Sequence, residues 1–377
     1  FYEGINSLIA YLLRLGVTKG DRISWLGLNH YKAIEIFFAC AGVGAIFVPI
    51  NWRLSPVEIE KVLQDCEPTF VFYSDERFKK DLTYSPAIYC NVRKQSFERD
   101  SKGINKSIIE KDEKSDVLIS YTSGSIGEPK GVVISQQAIL SNSIMSAEAH
   151  SLNEHDIVLN VLPIFHVGGL NILVTPALLL GATVLLHAKF DLEKMMEDLS
   201  ESTCVIFVPT ILKEIISDPR FNSKTLNSIK TLSIGSTIVP IDLIKKVMSL
   251  GTKIIQLYGS TEVTPFAIHQ RIKGIESTVG SIGKEGADCS IKLIDDSGAT
   301  TNPKVNQGGR VFNIVSGSIA GGTANIKTAA ASQKLQGLRA LPSPPGAKHY
   351  RIVLPEKTPD PMPSTRQRDK TIKRQIY

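Results

Sequence analysis

No CxxC pair occurs in this chain of 377 residues, and its five cysteines (Cys40, Cys66, Cys90, Cys204 and Cys289) are widely dispersed. An odd number at such spacing argues against a disulfide framework or a zinc site and favours a reducing compartment, so a cytoplasmic location is expected. Charge of one sign is scarce too: 43 Lys and Arg stand against 37 Asp and Glu. The small excess is local, because residues 311–377 hold 11 basic and 3 acidic side chains, which leaves residues 1–310 close to neutral. That balance speaks against nucleic acid as a partner of the folded body. Long apolar runs are few. The uncharged stretches 36–52 and 171–188 fall at or below the ~18–20 residues of a spanning helix, and Gly42, Gly44, Pro49, Pro176 and Gly181 break them. Each reads as helix, glycine turn and buried strand, so no transmembrane segment is expected, and peripheral membrane contact is left open. Oligomeric state leaves no mark. The chain opens on Phe1 with no initiator Met and no signal peptide, and the core is expected to be incomplete at its N-terminus.

The composition, 42% hydrophobic and 21% charged, is that of a globular protein with a large core. Apolar residues recur at helical spacing over 5–15, and the strand RISWLGL follows. Next come a helix through Phe38, the strand AIFVPI, a helix from Leu54 with Ser55 as N-cap and Pro56 at its first position, and the strand TFVFYS. The alternation resumes with VLNVLP, a helix after Gly169, ATVLLHA, a helix over 191–200, CVIFVP, a helix to Ser217, TLSIGS, a helix over 241–250 and KIIQLYGS. Strand–helix alternation predicts parallel sheets with crossover helices, here two doubly wound βαβ subdomains in one α/β body. From Ser281 short strands with turn residues predict a partial antiparallel sheet or barrel edge. Beyond about residue 309 the texture turns proline-rich and basic, and no helix or strand period holds for ten residues. Residues 309–377 are therefore expected to form a weakly structured tail behind a core of residues 1–308.

The sharpest local signal is ISYTSGSIGEPKGVV at 119–133. Glycines let backbone N–H groups converge on an anion, hydroxyls add donors, and a lysine supplies compensating charge. Thr122, Ser123, Gly124, Ser125, Gly127 and Lys130 provide all three, which a plain polar hairpin turn would not need. It is not a Walker A loop, since Pro129 and Gly131 flank the lysine where GxxxxGK[ST] needs Gly and Ser or Thr.

YTSGSIGEPKGV resembles the phosphate loop YTSGTTGxPKGV of the adenylate-forming (AMP-binding) superfamily, which includes acyl-CoA synthetases, luciferases and adenylation domains of peptide synthetases. Ile126 stands where a hydroxyl is common. GVTKGDRI, FFACAGVGAIFVPINWRLSP, LPIFHVGGLN at 162–171, SIGSTIVP at 233–240 and QLYGSTEVTP at 256–265 resemble further family blocks, in order, over residues 1 to about 308. The resemblance implies ATP-dependent activation of a carboxylic acid, fatty or aryl, to an acyl-adenylate and then an acyl-CoA. ATP, Mg²⁺ and coenzyme A would be its cofactors and co-substrates. It implies Glu262 as magnesium ligand, Thr261 as donor to the α-phosphate, and Tyr258 against the adenine, within the block that also holds Gly259 and Ser260. Gly235, Ser236 and Thr237 would line the other side of the base, and Lys130 would serve the phosphates. His166, which alone would read as a packed core histidine, becomes by the FHVGG match a residue facing the carboxylate, with Val167, Gly168, Val263 and Thr264 as neighbours of the acyl end. His150, His187 and His269 read as surface or packing residues, and Phe37, Phe38 and Phe207 as core. The resemblance stops near Gly308: no TGD occurs and both tryptophans, Trp25 and Trp52, are N-terminal. The family's ribose-binding aspartate and small C-terminal domain have no counterpart in these motifs. An impaired ligase is therefore the first expectation, and an inactive remnant that binds nucleotide or a partner is the alternative.

Overall fold

A computed structural model describes residues 1–95, 97, 112–122, 129–222, 224–270 and 278–289, together with the backbone of three short strands further on. Helix α1 (Tyr2–Arg14) leads into β1 (Arg22–Leu26), α2 (Tyr31–Val43), β2 (Ile46–Ile50), α3 (Pro56–Cys66), β3 (Phe70–Tyr73) and β4 (Ile88–Asn91). The hairpin β5 (Asp116–Thr122) and β6 (Lys130–Ser135) completes a six-stranded sheet in the order β4-β3-β1-β2-β5-β6, parallel except for β6. After α4 (Gln136–His150) come β7 (Ile157–Asn160), α5 (Val167–Asn171), α6 (Val174–Leu180), β8 (Thr183–Leu186), α7 (Leu192–Asp198), β9 (Cys204–Phe207), α8 (Pro209–Ser217), β10 (Thr231–Ile234), α9 (Ile241–Met248) and β11 (Ile254–Tyr258). Strands β12 (Ile268–His269) and β13 (Lys284–Glu285) close the second sheet, ordered β13-β12-β11-β10-β9-β7-β8. The five strands β7 to β11 of that sheet are mutually parallel, and β12 and β13 run antiparallel.

The expected alternation is present, and its caps are local. Ser55 and Glu58 form a reciprocal capping box at the start of α3 with Pro56 in its first turn, so two of the helix's free N–H groups are satisfied by its own sequence. In the second sheet antiparallel pairing begins at β12, earlier than the change of texture at Ser281 suggests. Strands β14 (Lys292–Asp295), β15 (Phe312–Val315) and β16 (Tyr350–Val353) pair in the order β14-β16-β15. Two of them lie in the stretch read as a tail, and each is four residues long, far below the ten-residue window in which the sequence shows no period.

Alternation along each strand sends its side chains to two cores. In the first sheet Ile23, Trp25, Phe47, Phe70 and Phe72 face α1 and α2, while Leu26, Val48, Ile50, Val71 and Tyr73 face α3. In the second, Val158, Cys204 and Ile206 face one side and Leu159, Val205 and Phe207 the other, where α7, α8 and α9 cover them. Phe37 and Phe207 are core residues as expected. Helices α4 to α6 form a shared layer. Ala138, Ile139, Leu170 and Val174 pack into the core of the first sheet, and Met145, Ala149, Ile172, Leu173 and Ala177 into that of the second. Fully burying each of these larger apolar side chains stabilises the fold by roughly 1.5–3 kcal/mol, so one layer ties the two subdomains together.

Candidate active site at the carboxyl ends of the strands

Ligands of open α/β sheets bind outside the carboxyl ends of the strands, where the strand order reverses. In the second sheet the reversal falls at β7, whose neighbours β8 and β9 both follow it in the chain. The residues nominated from the sequence lie along that edge: His166 beyond β7, Gly235 to Thr237 beyond β10, and Tyr258 to Glu262 at the end of β11.

Close backbone packing dictates the glycines. A Cβ on Gly259 would lie 1.2 Å from the carbonyl oxygen of Pro265, and one on Gly235 would lie 2.5 Å from that of Leu257. Both are main-chain atoms that cannot swing aside, so only glycine lets these two turns sit flush. Ser236 has φ 71°, in the left-handed region, and with Thr237 it is exposed at the mouth. Thr261 and Glu262 open a 3₁₀ turn, Thr261–Val263, with both side chains half-buried. Tyr258 is half-buried as well, and its phenol is pushed up to about 12, first by burial and then by the nearby Glu262 carboxylate. Val263 and Thr264 are buried beneath the turn.

The phosphate-loop hairpin reaches this edge from the first sheet. Thr122 pairs with Lys130 across β5 and β6, and the Thr122 hydroxyl donates to the Lys130 carbonyl at 3.5 Å. Strand β6, which starts at Lys130, contacts the turn Thr261–Val263. Ser123, Gly124, Ser125 and Gly127 lie outside the described residues. The stem is anchored from α3: the Tyr121 hydroxyl donates to Asp65, and Gly131 leaves room for Ile119 and the Tyr121 ring.

On the other side His166 is the N-cap of α5 and makes no capping bond with its side chain. Its ring is exposed, yet desolvation by surrounding protein is the first cause holding its pKa below the ordinary imidazole value, with Arg53 the second. Arg53, which sequence reading passed over, lies with its guanidinium 5.7 Å from the Phe165 ring centroid and 5.2 Å from that of Trp52. The only signal for it was an arginine directly after a buried strand in NWRLSP. The other histidines separate. His150 is wholly buried, its ring bonded to the Ser146 carbonyl at 2.7 Å and to the Ser233 hydroxyl, and burial first of all pulls its pKa down to about 4. His187 is buried against Asp198 at 2.6 Å, and His269 stacks on Phe266. All three are packing residues, and the surface option is closed for His150 and His187.

The residues present fit magnesium only as an ion that arrives with nucleotide. Among the described residues no group of three or more His, Cys, Asp or Glu could cage a metal, whereas Mg²⁺ bound to phosphates and water needs one or two carboxylates, and Glu262 supplies one. Among the described residues no helix is long and apolar enough to cross a membrane.

The fold has solved counterparts. The N-terminal domain of FACL13 from Mycobacterium tuberculosis superposes with a TM-score of 0.71 at 24% identity, covering 79% of this chain and 77% of that one. Apo MatB from Rhodopseudomonas palustris gives 0.71 at 21% identity, over 80% and 62%. The molecule thus has the α/β fold of such a large N-terminal domain. The AMP-binding enzyme family matches residues 1–317, and the chain belongs to that family. Relatives include an indoleacetate–CoA ligase of Aromatoleum aromaticum, 34% identical over 79% of this chain and 61% of its own length. A feruloyl-CoA synthase of Amycolatopsis is 30% identical over 76% and 59%, and a long-chain-fatty-acid–CoA ligase of Thermus thermophilus 28% over 72% and 53%. The chain therefore spans between half and two thirds of the length of these curated relatives.

Proposed function

We propose that the chain forms the ATP- and acid-binding body of an acid–CoA ligase. The observation that carries this reading is that β6, which starts at Lys130, contacts the Thr261–Val263 turn, while Tyr258 ends β11 and His166 follows β7 in the same sheet. In the reaction a carboxylate oxygen attacks the α-phosphorus of ATP, the bond to the bridging oxygen breaks, and pyrophosphate leaves with its electron pair. The thiol of coenzyme A then displaces AMP from the acyl-adenylate and gives its proton to solvent. Mg²⁺ bound with ATP would neutralise charge on the phosphates. Lys130 and the loop hydroxyls add positive charge and donors to the same oxygens, and Thr261 donates at the α-phosphate, where charge develops. Tyr258 lies against the adenine with Gly235, Ser236 and Thr237 opposite. His166, kept neutral at pH 7, presents an imidazole to the acid without an ion pair.

For the acid, the indoleacetate and ferulate ligases at 30% identity or more support an aryl carboxylate, and the fatty-acid ligase keeps a fatty acid in the panel. The test is carboxylate-dependent exchange of pyrophosphate into ATP with the panel and Mg²⁺. Exchange with one acid class, lost in Glu262→Gln, is the expected outcome. Nucleotide binding with no exchange for any acid would instead favour an inactive nucleotide-binding remnant.

A further inference from the structure

Asn29 lies on the loop between β1 and α2, in the first subdomain, and is 6% exposed. Its side chain does not serve its own loop. The amide nitrogen donates to the Leu162 and His187 carbonyls, each at 2.9 Å, and the amide oxygen accepts from the Ile164 N–H at 2.9 Å. Its backbone N–H donates to the Ala188 carbonyl at 3.0 Å. A neutral amide has two N–H donors, and Asn29 spends both, with its oxygen, on the second subdomain.

We propose that Asn29 is the positioning residue for the loop 162–166, and through it for His166. The loop is gripped on both sides of Pro163: Leu162 by its carbonyl and Ile164 by its N–H. Asn160, at the end of β7, adds a second donor to the Leu162 carbonyl at 2.9 Å. The grip passes on. A Cβ on Gly169 would lie 2.3 Å from the Pro163 carbonyl oxygen, so the start of α5 rests on the clamped segment, and the His166 N–H donates to that same carbonyl at 3.2 Å. His166 has no capping bond of its own from its side chain, so its place is inherited from the loop. A buried amide left unpaired is costly, which makes this geometry discrete: either all three side-chain bonds form or the loop moves. The sheet of β1, which the hairpin of β5 and β6 completes, thereby sets where the acid meets the nucleotide.

This consequence rests on the ligase reading above; the clamp itself does not. The experiment compares the wild-type chain with Asn29→Ser and Asn29→Asp, following the histidine ring protons by NMR across pH. In a folded variant the His166 titration should move up toward the ordinary ~6.5, because the ring leaves its desolvated place beside Arg53. The buried His150, whose ring is bonded to Ser146 and Ser233, should stay put as an internal reference. MgATP affinity should change less than about twofold, while affinity for the carboxylic acid should fall about tenfold or more, the scale of a lost buried hydrogen bond. An unmoved His166 in a folded variant, or nucleotide and acid affinity falling together, would overturn the proposal. Should neither variant fold, hydrogen exchange on the unchanged protein decides. The Ile164 amide, whose acceptor is Asn29, should be protected like those of β1 and β7, and fast exchange would overturn the clamp. If neither ATP nor acid binds the wild type, the ligase reading fails, and the NMR and exchange results still judge Asn29.

Discussion

One methyl group distinguishes two glycines of the site. At Gly259 a Cβ would overlap the Pro265 carbonyl at 1.2 Å, whereas at Gly168, in α5, the nearest atom is the Ile172 Cδ1 at 3.9 Å. Gly259→Ala is therefore expected to lower stability by at least about 1–3 kcal/mol, the usual cost of forcing extra volume into packed structure. Gly168→Ala should be neutral or raise it by about 0.5–1 kcal/mol, as helical glycines commonly do; urea unfolding midpoints of the two variants make the comparison. For Lys130→Ala, titration with MgATP should show affinity weakened roughly ten- to a hundredfold, the range for a charge-assisted hydrogen bond. An unchanged affinity would remove the hairpin from the phosphate site. YTSGSIGEPKG singles out Lys130 in the sequence because glycines, hydroxyls and a cation in one short loop have few other uses. Asn29, Arg53 and Asn142 were not legible, since a lone Asn or Arg carries no pattern and its partners lie far along the chain.

Among the elements, α4 shows why a periodic reading fails. It packs between two sheets, and its buried positions include Asn142, Ser143, Ser146 and His150 beside Ala138, Ile139, Met145 and Ala149. These positions recur at helical spacing on one broad face, but four of the eight are polar, so no apolar stripe shows in the sequence. Asn142 shows what those polar groups do: it donates to the Asn171 carbonyl at 2.7 Å and accepts from the Phe266 N–H at 3.0 Å, which links α5 to the segment after Glu262. His150 gives α4 a pH dependence. Its folded pKa, about 4, is lower than the unfolded 6.5, so above the unfolded value both states are neutral and nothing is lost. As pH falls from there toward 4 the unfolded chain takes up the proton first, and stability drops by about 1.4 kcal/mol per pH unit for this one group. The difference in unfolding free energy between wild type and His150→Gln, followed from pH 7.5 to 4.5, should narrow steadily on acidification. A constant difference would mean that His150 titrates normally. Asp156, paired with Lys230 at 2.6 Å, titrates in a lower window and cancels in the comparison.

For the molecule as a whole, the two sheets share the helical layer of α4 to α6, whose side chains enter the cores of both. The family match covers residues 1–317.

The alternation of apolar strands with capped helices, and the glycine turns between them, determined the α/β class and the two sheets. Those features are local: a cap, a glycine turn and an apolar period act within a few residues, so the chain states them wherever it is read. Tertiary structure alone decided that β6 lies beside the Glu262 turn, that Arg53 stands over Phe165, and that Asn29 grips a loop more than a hundred residues away. These contacts arise from how two sheets pack across a shared layer, and the hydrogen-bonding capacity of one buried amide is silent about its partner until that packing brings the partner within 3 Å.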